Sequence, residues 1–110
     1  PLACGYLTGK YQDGIPEGSR LAINGDLGGR KTDRVIRATQ AYLDIADRHG
    51  LDPVHMALAW QRTRPFAVCP IFGATNVDQL ERILAGRDVV VSDEVVAEIN
   101  AAHKQHPMPY

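Results

Sequence analysis

The sequence predicts an α/β fold, mostly helical with one clear buried strand, and three observations carry that prediction. Apolar residues recur every three or four positions over four stretches, the last three each opened by a capping residue. Between the second and third stretches lies Ala67-Val68-Cys69-Pro70-Ile71-Phe72, a nearly all-apolar run ending at Gly73, which is how a strand buried on both faces reads. This strand has no partner in the chain, apart from what Leu2-Ala3 contributes, yet its backbone donors and acceptors must pair somewhere. The rest of a parallel sheet, built from residues outside this chain, would resolve the conflict. Helices alternating with apolar strands are the pattern of barrels and doubly wound sheets.

Taken in order, residues 1–31 hold seven of the ten glycines and two prolines, and read as a long loop. Such a loop is uncommon in a compact domain unless it binds something. From Thr32 or Asp33 the pattern changes: Val35, Ala38, Tyr42, Ile45, Ala46 and His49 fall on one face of an amphipathic helix. Gly50 stops that helix, and Asp52-Pro53 supplies a cap and a first-turn proline for the next one. The second helix runs to about Arg62, with Met56, Ala57, Ala59 and Trp60 making much of it apolar, and Pro65 breaks it. Beyond the strand, Asn76 caps a third helix whose stripe is Val77, Leu80, Ile83 and Leu84. Ser92 caps a fourth, opened by Asp93 and Glu94 and carrying Val95, Val96 and Ile99. The prolines of the tail, His106 to Tyr110, end helical structure. There is no internal repeat.

Composition narrows the function. At 110 residues, with 45% hydrophobic and 23% charged, the chain has the length of one domain and lies far from the disordered class. Twelve basic and thirteen acidic residues give a net charge of -1, so no global field collects nucleic acid or anionic lipid, and any anion site must be local. Cys4 and Cys69 sit in no metal-ligand spacing and suit reduced thiols in a cytoplasm. No apolar run approaches the ~20 residues that span a bilayer, and no leader pattern opens the chain. A soluble cytoplasmic protein without a metal is expected. The opening Pro1-Leu2-Ala3-Cys4-Gly5 reads as the interior of a longer protein.

Two segments carry candidate chemistry. The turn Gly73-Ala74-Thr75-Asn76 places free amides at a helix start directly after the strand, where orphan donors and the helix dipole favour a phosphate. Gly73 admits an anion close to the backbone, Thr75 adds a hydroxyl, and Gln79 lies one turn in. Asn76 and Gln79 equally fit a capping box, which needs no ligand. The opening loop offers Lys10 and Arg20 among glycines and hydroxyls. They read either as cations for a dianionic phosphate or as solvated surface charges. The spacing is not that of a nucleotide-kinase P-loop.

At these residues the text resembles a known family. PLACGYLTGKY at Pro1 to Tyr11, followed by GIPEGSR at Gly14 to Arg20, resembles the loop after the seventh barrel strand of aldo-keto reductases, especially the branch containing the voltage-gated potassium channel beta subunits. LDPVHMALAW at Leu51 to Trp60 resembles the helix before the eighth strand, and PIFGATNVDQL at Pro70 to Leu80 the eighth strand and cofactor-holding helix start. The three blocks keep the family's order and cover nearly the whole chain.

The resemblance implies the C-terminal portion of a (β/α)8 TIM barrel, with residues 1–110 a partial NADP-dependent oxidoreductase domain incomplete at its N-terminus. It implies NADP bound extended across the strand ends, without a Rossmann fingerprint. Leu2, Ala3 and Cys4 match positions lining pyrophosphate and ribose, Lys10 and Arg20 match cations on the phosphates, and Gly73, Thr75 and Gln79 match the adenosine end. Where many relatives place Glu then Asn for the adenine ribose and base, this chain has Arg82 and Ile83. Arg82 reads as a contact for the 2'-phosphate or as plain surface charge, and Ile83 cannot hydrogen-bond through its side chain.

The family reduces small-molecule aldehydes and ketones with a tyrosine, lysine, aspartate and histidine from the first half of the barrel. Tyr6, Tyr11, Tyr42 and Tyr110 match none of these, nor do His49, His55, His103 and His106. No catalytic residue is expected in this chain. Two other readings stay open: a cofactor-sensing regulatory or scaffold subunit of the same fold, and an inactive truncated remnant.

Overall fold

The computed structural model describes residues 1–110, and its order is a 3-10 turn at Ala3–Thr8, then five helices. These are α1 (Arg20–Asn24), α2 (Asp33–Arg48), α3 (Pro53–Arg62), α4 (Val77–Ala85) and α5 (Asp93–Gln105). The helix starts follow from side-chain capping: Thr32, Asp52, Asn76 and Ser92 each accept a backbone amide of the turn they open. Asp33, Asp78, Asp93 and Glu94 add negative charge to first turns, and Arg48 and Lys104 add positive charge to last turns, complementing the dipoles.

The main core lies where α2, α3 and α5 meet. Ile45 and Ala46, Met56 and Ala59, and Val95, Ile99 and Ala102 are buried against one another, with Val91 closing the end. Arg48 and His49, at the end of α2, both reach Glu98 on α5, the histidine at 2.8 Å. A second cluster, Tyr6, Tyr11, Leu21, Leu27 and Val35, sits inside the glycine-rich opening. The expected long loop is therefore folded on its own apolar residues and contains α1, capped by Ser19. A third cluster, Val54, Leu58 and Ile83 with Leu2 against it, joins α3 to α4 and to the start of the chain.

The buried strand does not form. The chain contains no strand, and no backbone group from residue 65 to 74 pairs with another backbone group. Ile71 and Phe72, which would point to opposite faces of a strand, are 84% and 39% exposed, so the run is buried on neither face. The physical reason is the one that made it a puzzle in the sequence: sheet hydrogen bonds and apolar cover need neighbouring strands, and none is available here. The apolar stripe expected on α4 is present but mostly uncovered. Ile83 is buried, whereas Val77 and Leu84 are 66% and 50% exposed. No helix is long and apolar enough to cross a membrane.

Candidate functional site

A cleft of about 720 Å³ separates the opening turn and the start of α1 from the segment 71–76 and the first turns of α4. All eight residues singled out in the sequence, Leu2, Ala3, Cys4, Lys10, Arg20, Gly73, Thr75 and Gln79, line it. Its volume falls within the roughly 300–1,000 Å³ of small-molecule and cofactor sites. Its charged walls are Lys10, Arg20 and Arg82 against the single acid Glu17, so the cleft is locally positive in a chain of net charge -1.

The opening wall is a strained turn. Ala3 and Cys4 take φ of 49° and 57°, left-handed values that cost a side-chain-bearing residue energy and persist only where the surroundings enforce them. The hand reverses from Leu2, at φ -99°, to Ala3, the kind of reversal from which anion-holding backbone concavities are made. The amides of Ala3 and Cys4 have no acceptor in the chain, while Leu2 accepts from Gly5 at 2.9 Å to close the turn. Gly5 itself has φ +98°, and a Cβ there would stand 2.8 Å from Cε of Lys10. The lysine stem thus lies across the glycine, with its ammonium 5.0 Å from the Tyr11 ring centroid.

Arg20 is positioned through Ser19, whose hydroxyl accepts from the Ala22 amide at 3.3 Å, and through Tyr11, whose hydroxyl accepts from the Leu21 amide at 3.3 Å. Neither Lys10 nor Arg20 takes part in a salt bridge, so both charges are uncommitted. Beneath them the Tyr6 ring packs edge-on to Tyr11. Burial pushes the Tyr6 phenol above its ordinary value, with smaller contributions from Tyr11 and Cys4.

On the opposite wall the capping box is displaced by one residue. Asn76 Oδ1 accepts from the Gln79 amide at 2.9 Å, as the sequence suggests. Gln79 Oε1, however, accepts from the Thr75 amide and hydroxyl at 3.0 and 3.1 Å, not from the Asn76 amide. The amides of Val77 and Asp78 have no acceptor in the chain, leaving the donors of a helix start free beside the cleft.

Arg82, one turn beyond Gln79, is held by an interaction that no local pattern signals. Its Nε and Nη2 donate to the two Asp52 oxygens at 2.7 and 3.2 Å, and its carbonyl lies 2.6 Å from His55 Nε2. Asp52 also caps α3 through the Val54 amide at 2.7 Å. Burial alone would raise the Asp52 carboxyl, but the hydrogen bonds from Arg82 and Val54 and the charges of Arg82 and His55 hold it below the ordinary carboxylate value. Ile83 serves the core under the cleft, against Val54 and Leu58. No cluster of His, Cys, Asp and Glu suited to a metal ion occurs.

Comparison with known proteins agrees with the three sequence blocks. The model of the Aldo/keto reductase family matches residues 1–104. The chain is 40% identical over 109 residues to Protein tas of Escherichia coli (strain K12), covering 98% of this chain and 32% of that protein. It is 37% identical to an Arabidopsis thaliana protein whose name describes a voltage-gated potassium channel subunit beta, covering 82% of this chain and 29% of that one. It is 33% identical to L-glyceraldehyde 3-phosphate reductase of Escherichia coli O157:H7, covering 91% and 31% respectively. The chain belongs to the aldo/keto reductase family. It spans about a third of the length of the curated relatives it matches.

Proposed function

We propose that this chain is the cofactor-clasping C-terminal part of an NADP-dependent aldo-keto reductase, a (β/α)8 barrel that reduces aldehydes or ketones. The observation that supports the reading most is that two segments far apart in sequence, both matching the family's cofactor-holding loops, face each other across one positively charged cleft. The residues present fit such a group: unpartnered amides and uncommitted cations on one wall, a free helix start on the other.

When bound, NADPH supplies the hydride. The residues of this chain position and neutralise. Ala3 and Cys4 offer amides and Lys10 and Arg20 offer charge to the bridging phosphates, with Arg20 suited to a two-pronged grip. Leu2 adds an apolar side chain to the same wall. Gly73 lets the adenosine end approach the backbone, while Thr75 and Gln79 supply polar edges there. Proton donation falls to residues of the barrel's first half, which this chain does not contain.

The test is cofactor binding and NADPH oxidation with a panel of aldehydes and ketones, on the 110-residue chain and on the whole product of its gene. The whole product should bind and turn over, and the short chain should bind weakly and show no rate. Turnover by the short chain alone would sink its assignment as a non-catalytic part, and a whole product without affinity for NADP would sink the cofactor assignment. A second reading, a cofactor-sensing regulatory subunit, is favoured by the relatives named as channel beta subunits. Affinity without carbonyl turnover in the whole product distinguishes it.

A further inference from the structure

The end of α5 and the tail behind it fold back over the start of α2, and between them lies a second cavity, of about 270 Å³, that shares no residue with the cleft. Its walls are Arg34, Arg37, Gln105, His106, Pro107 and Pro109. None of these side chains is acidic, so positive charge is concentrated here in a chain of net charge -1. The tail wall is held at three successive residues. Arg34 Nη2 donates to the Met108 carbonyl at 3.4 Å, Thr32 Oγ1 donates to the Pro109 carbonyl at 3.2 Å, and the Arg30 guanidinium stands 5.0 Å from the Tyr110 ring centroid. Met108 makes the bend at φ 44°, between two prolines whose rings fix φ on either side. The wall is therefore stiff before any ligand arrives.

Arg34 and Arg37 lie three residues apart on one face of α2, a spacing that sets their Cβ atoms roughly 5–6 Å apart. Neither takes part in a salt bridge, and apart from the bond to Met108 neither donates a side-chain hydrogen bond. The last turn of α5 opposes an anion with about half a negative charge, which two full guanidinium charges outweigh. A single carboxylate would employ one of the two arginines. A tetrahedral dianion has the charge and the oxygens for both forks to share. The Gln105 amide and the His106 ring add further donors to the rim.

We propose that this cavity is a second anion site, which takes the phosphoryl group of a small phosphate monoester. Arg34 and Arg37 grip its oxygens from α2, and the strapped tail closes the opposite side with Gln105 and His106. The volume beyond the phosphoryl group accommodates part of the molecule that carries it.

The experiment is arginine-selective labelling of the whole gene product with phenylglyoxal, mapped by mass spectrometry, with inorganic phosphate or acetate added at equal ionic strength. Phosphate should slow the labelling of Arg34 and Arg37 several-fold, and acetate should not. In Arg34→Gln the phosphate concentration that half-protects Arg37 should rise by roughly tenfold. Arg37→Lys keeps the charge but loses the fork, and should raise the corresponding concentration for Arg34 by a smaller factor. Equal labelling of the native protein with and without phosphate would overturn the proposal. Equal protection by acetate would do the same, since it reports only the screening of exposed charge. Two arginines that resist labelling with no anion added would also overturn it, because the remainder of the protein would then cover the cavity. None of these outcomes bears on the cleft, whose own test is NADP binding.

Discussion

Two regions of the molecule are built from equally good local signals and end differently. In α2, α3 and α5, caps and apolar periodicity lead to burial: Ile45, Ala46, Met56, Val95 and Ile99 are all at most 7% exposed. In the stretch from Phe66 through α4 the signals are no weaker. Asn76 caps correctly and the helix is strongly amphipathic, yet Ile71, Val77, Leu80 and Leu84 face solvent and only Ile83 is covered. Local pattern specifies that an element forms and which face is apolar, whereas burial requires a partner surface. No such surface covers the unpaired backbone of residues 65–74 or the apolar face of α4, in a chain that spans about a third of the length of its curated relatives.

The largest effect should separate these regions directly. Met56→Ala and Ile99→Ala each leave a cavity in the main core and should destabilise the chain by about 2–5 kcal/mol, read as a drop in urea midpoint. Ile71→Ala and Leu84→Ala should change the 110-residue chain by no more than about 0.5 kcal/mol, because little is lost when an exposed side chain is shortened. The same two substitutions in the whole gene product should cost several-fold more. An Ile71 variant as damaging as the Ile99 variant in the short chain would break the comparison. Hydrogen exchange sharpens it: amides of residues 66–74 should exchange without protection while those of mid-α2 are protected.

The two glycines facing each other across the cleft offer a second contrast. Gly5→Ala must hold a side chain at φ +98° and push the Lys10 stem aside, for an expected cost of about 1–3 kcal/mol together with weaker NADP binding. Gly73→Ala meets nothing within 4 Å and should leave the melting midpoint nearly unchanged. Any loss of NADP affinity in that variant would then report close approach of the ligand rather than damage to the fold. Equal thermal effects at the two glycines would argue against a strained opening turn.

How much of this was legible in the sequence follows the same division. The helices 53–62, 77–85 and 93–105 start at the caps read from Asp52, Asn76 and Ser92, and 33–48 starts where the pattern changes at Thr32 or Asp33, because capping is a local matter of a few residues. The strand at 67–72 failed because its hydrogen-bond partners are not in the text at all. Helix α1 was hidden by the glycines around it, although Ser19 before an apolar Leu21 was its available signal. The eight cleft residues were readable as two short segments and a family likeness. The pairing of Arg82 with Asp52 was not, since the two are 30 residues apart and only the packing of α4 on α3 brings them together.

The smallest effects concern charge, and they compare the ion pair beside the cleft with the one that joins α2 to α5. Asp52 is held below its ordinary value of 3.8 despite burial, chiefly through its hydrogen bonds from Arg82 and Val54. Glu98 is held below 4.5 by hydrogen bonds from Arg48 and His49. A carboxylate whose folded value is depressed contributes stability that is fully present above its unfolded value and lost as pH falls through the folded one. Both contributions should therefore be complete at neutral pH and disappear below the ordinary carboxylate range. Asp52→Asn keeps a good capping residue and removes only the charge, so its melting midpoint should fall by about one to a few degrees at neutral pH and match the native protein near about pH 2. Glu98→Gln should behave likewise with a smaller shift, because its charged partner Arg48 is 56% exposed, against 42% for Arg82, and solvent screens the pair more. A deficit that persists at low pH in either variant would mean that the side chain acts there through packing or hydrogen-bond geometry, and that charge does not tie that helix pair together.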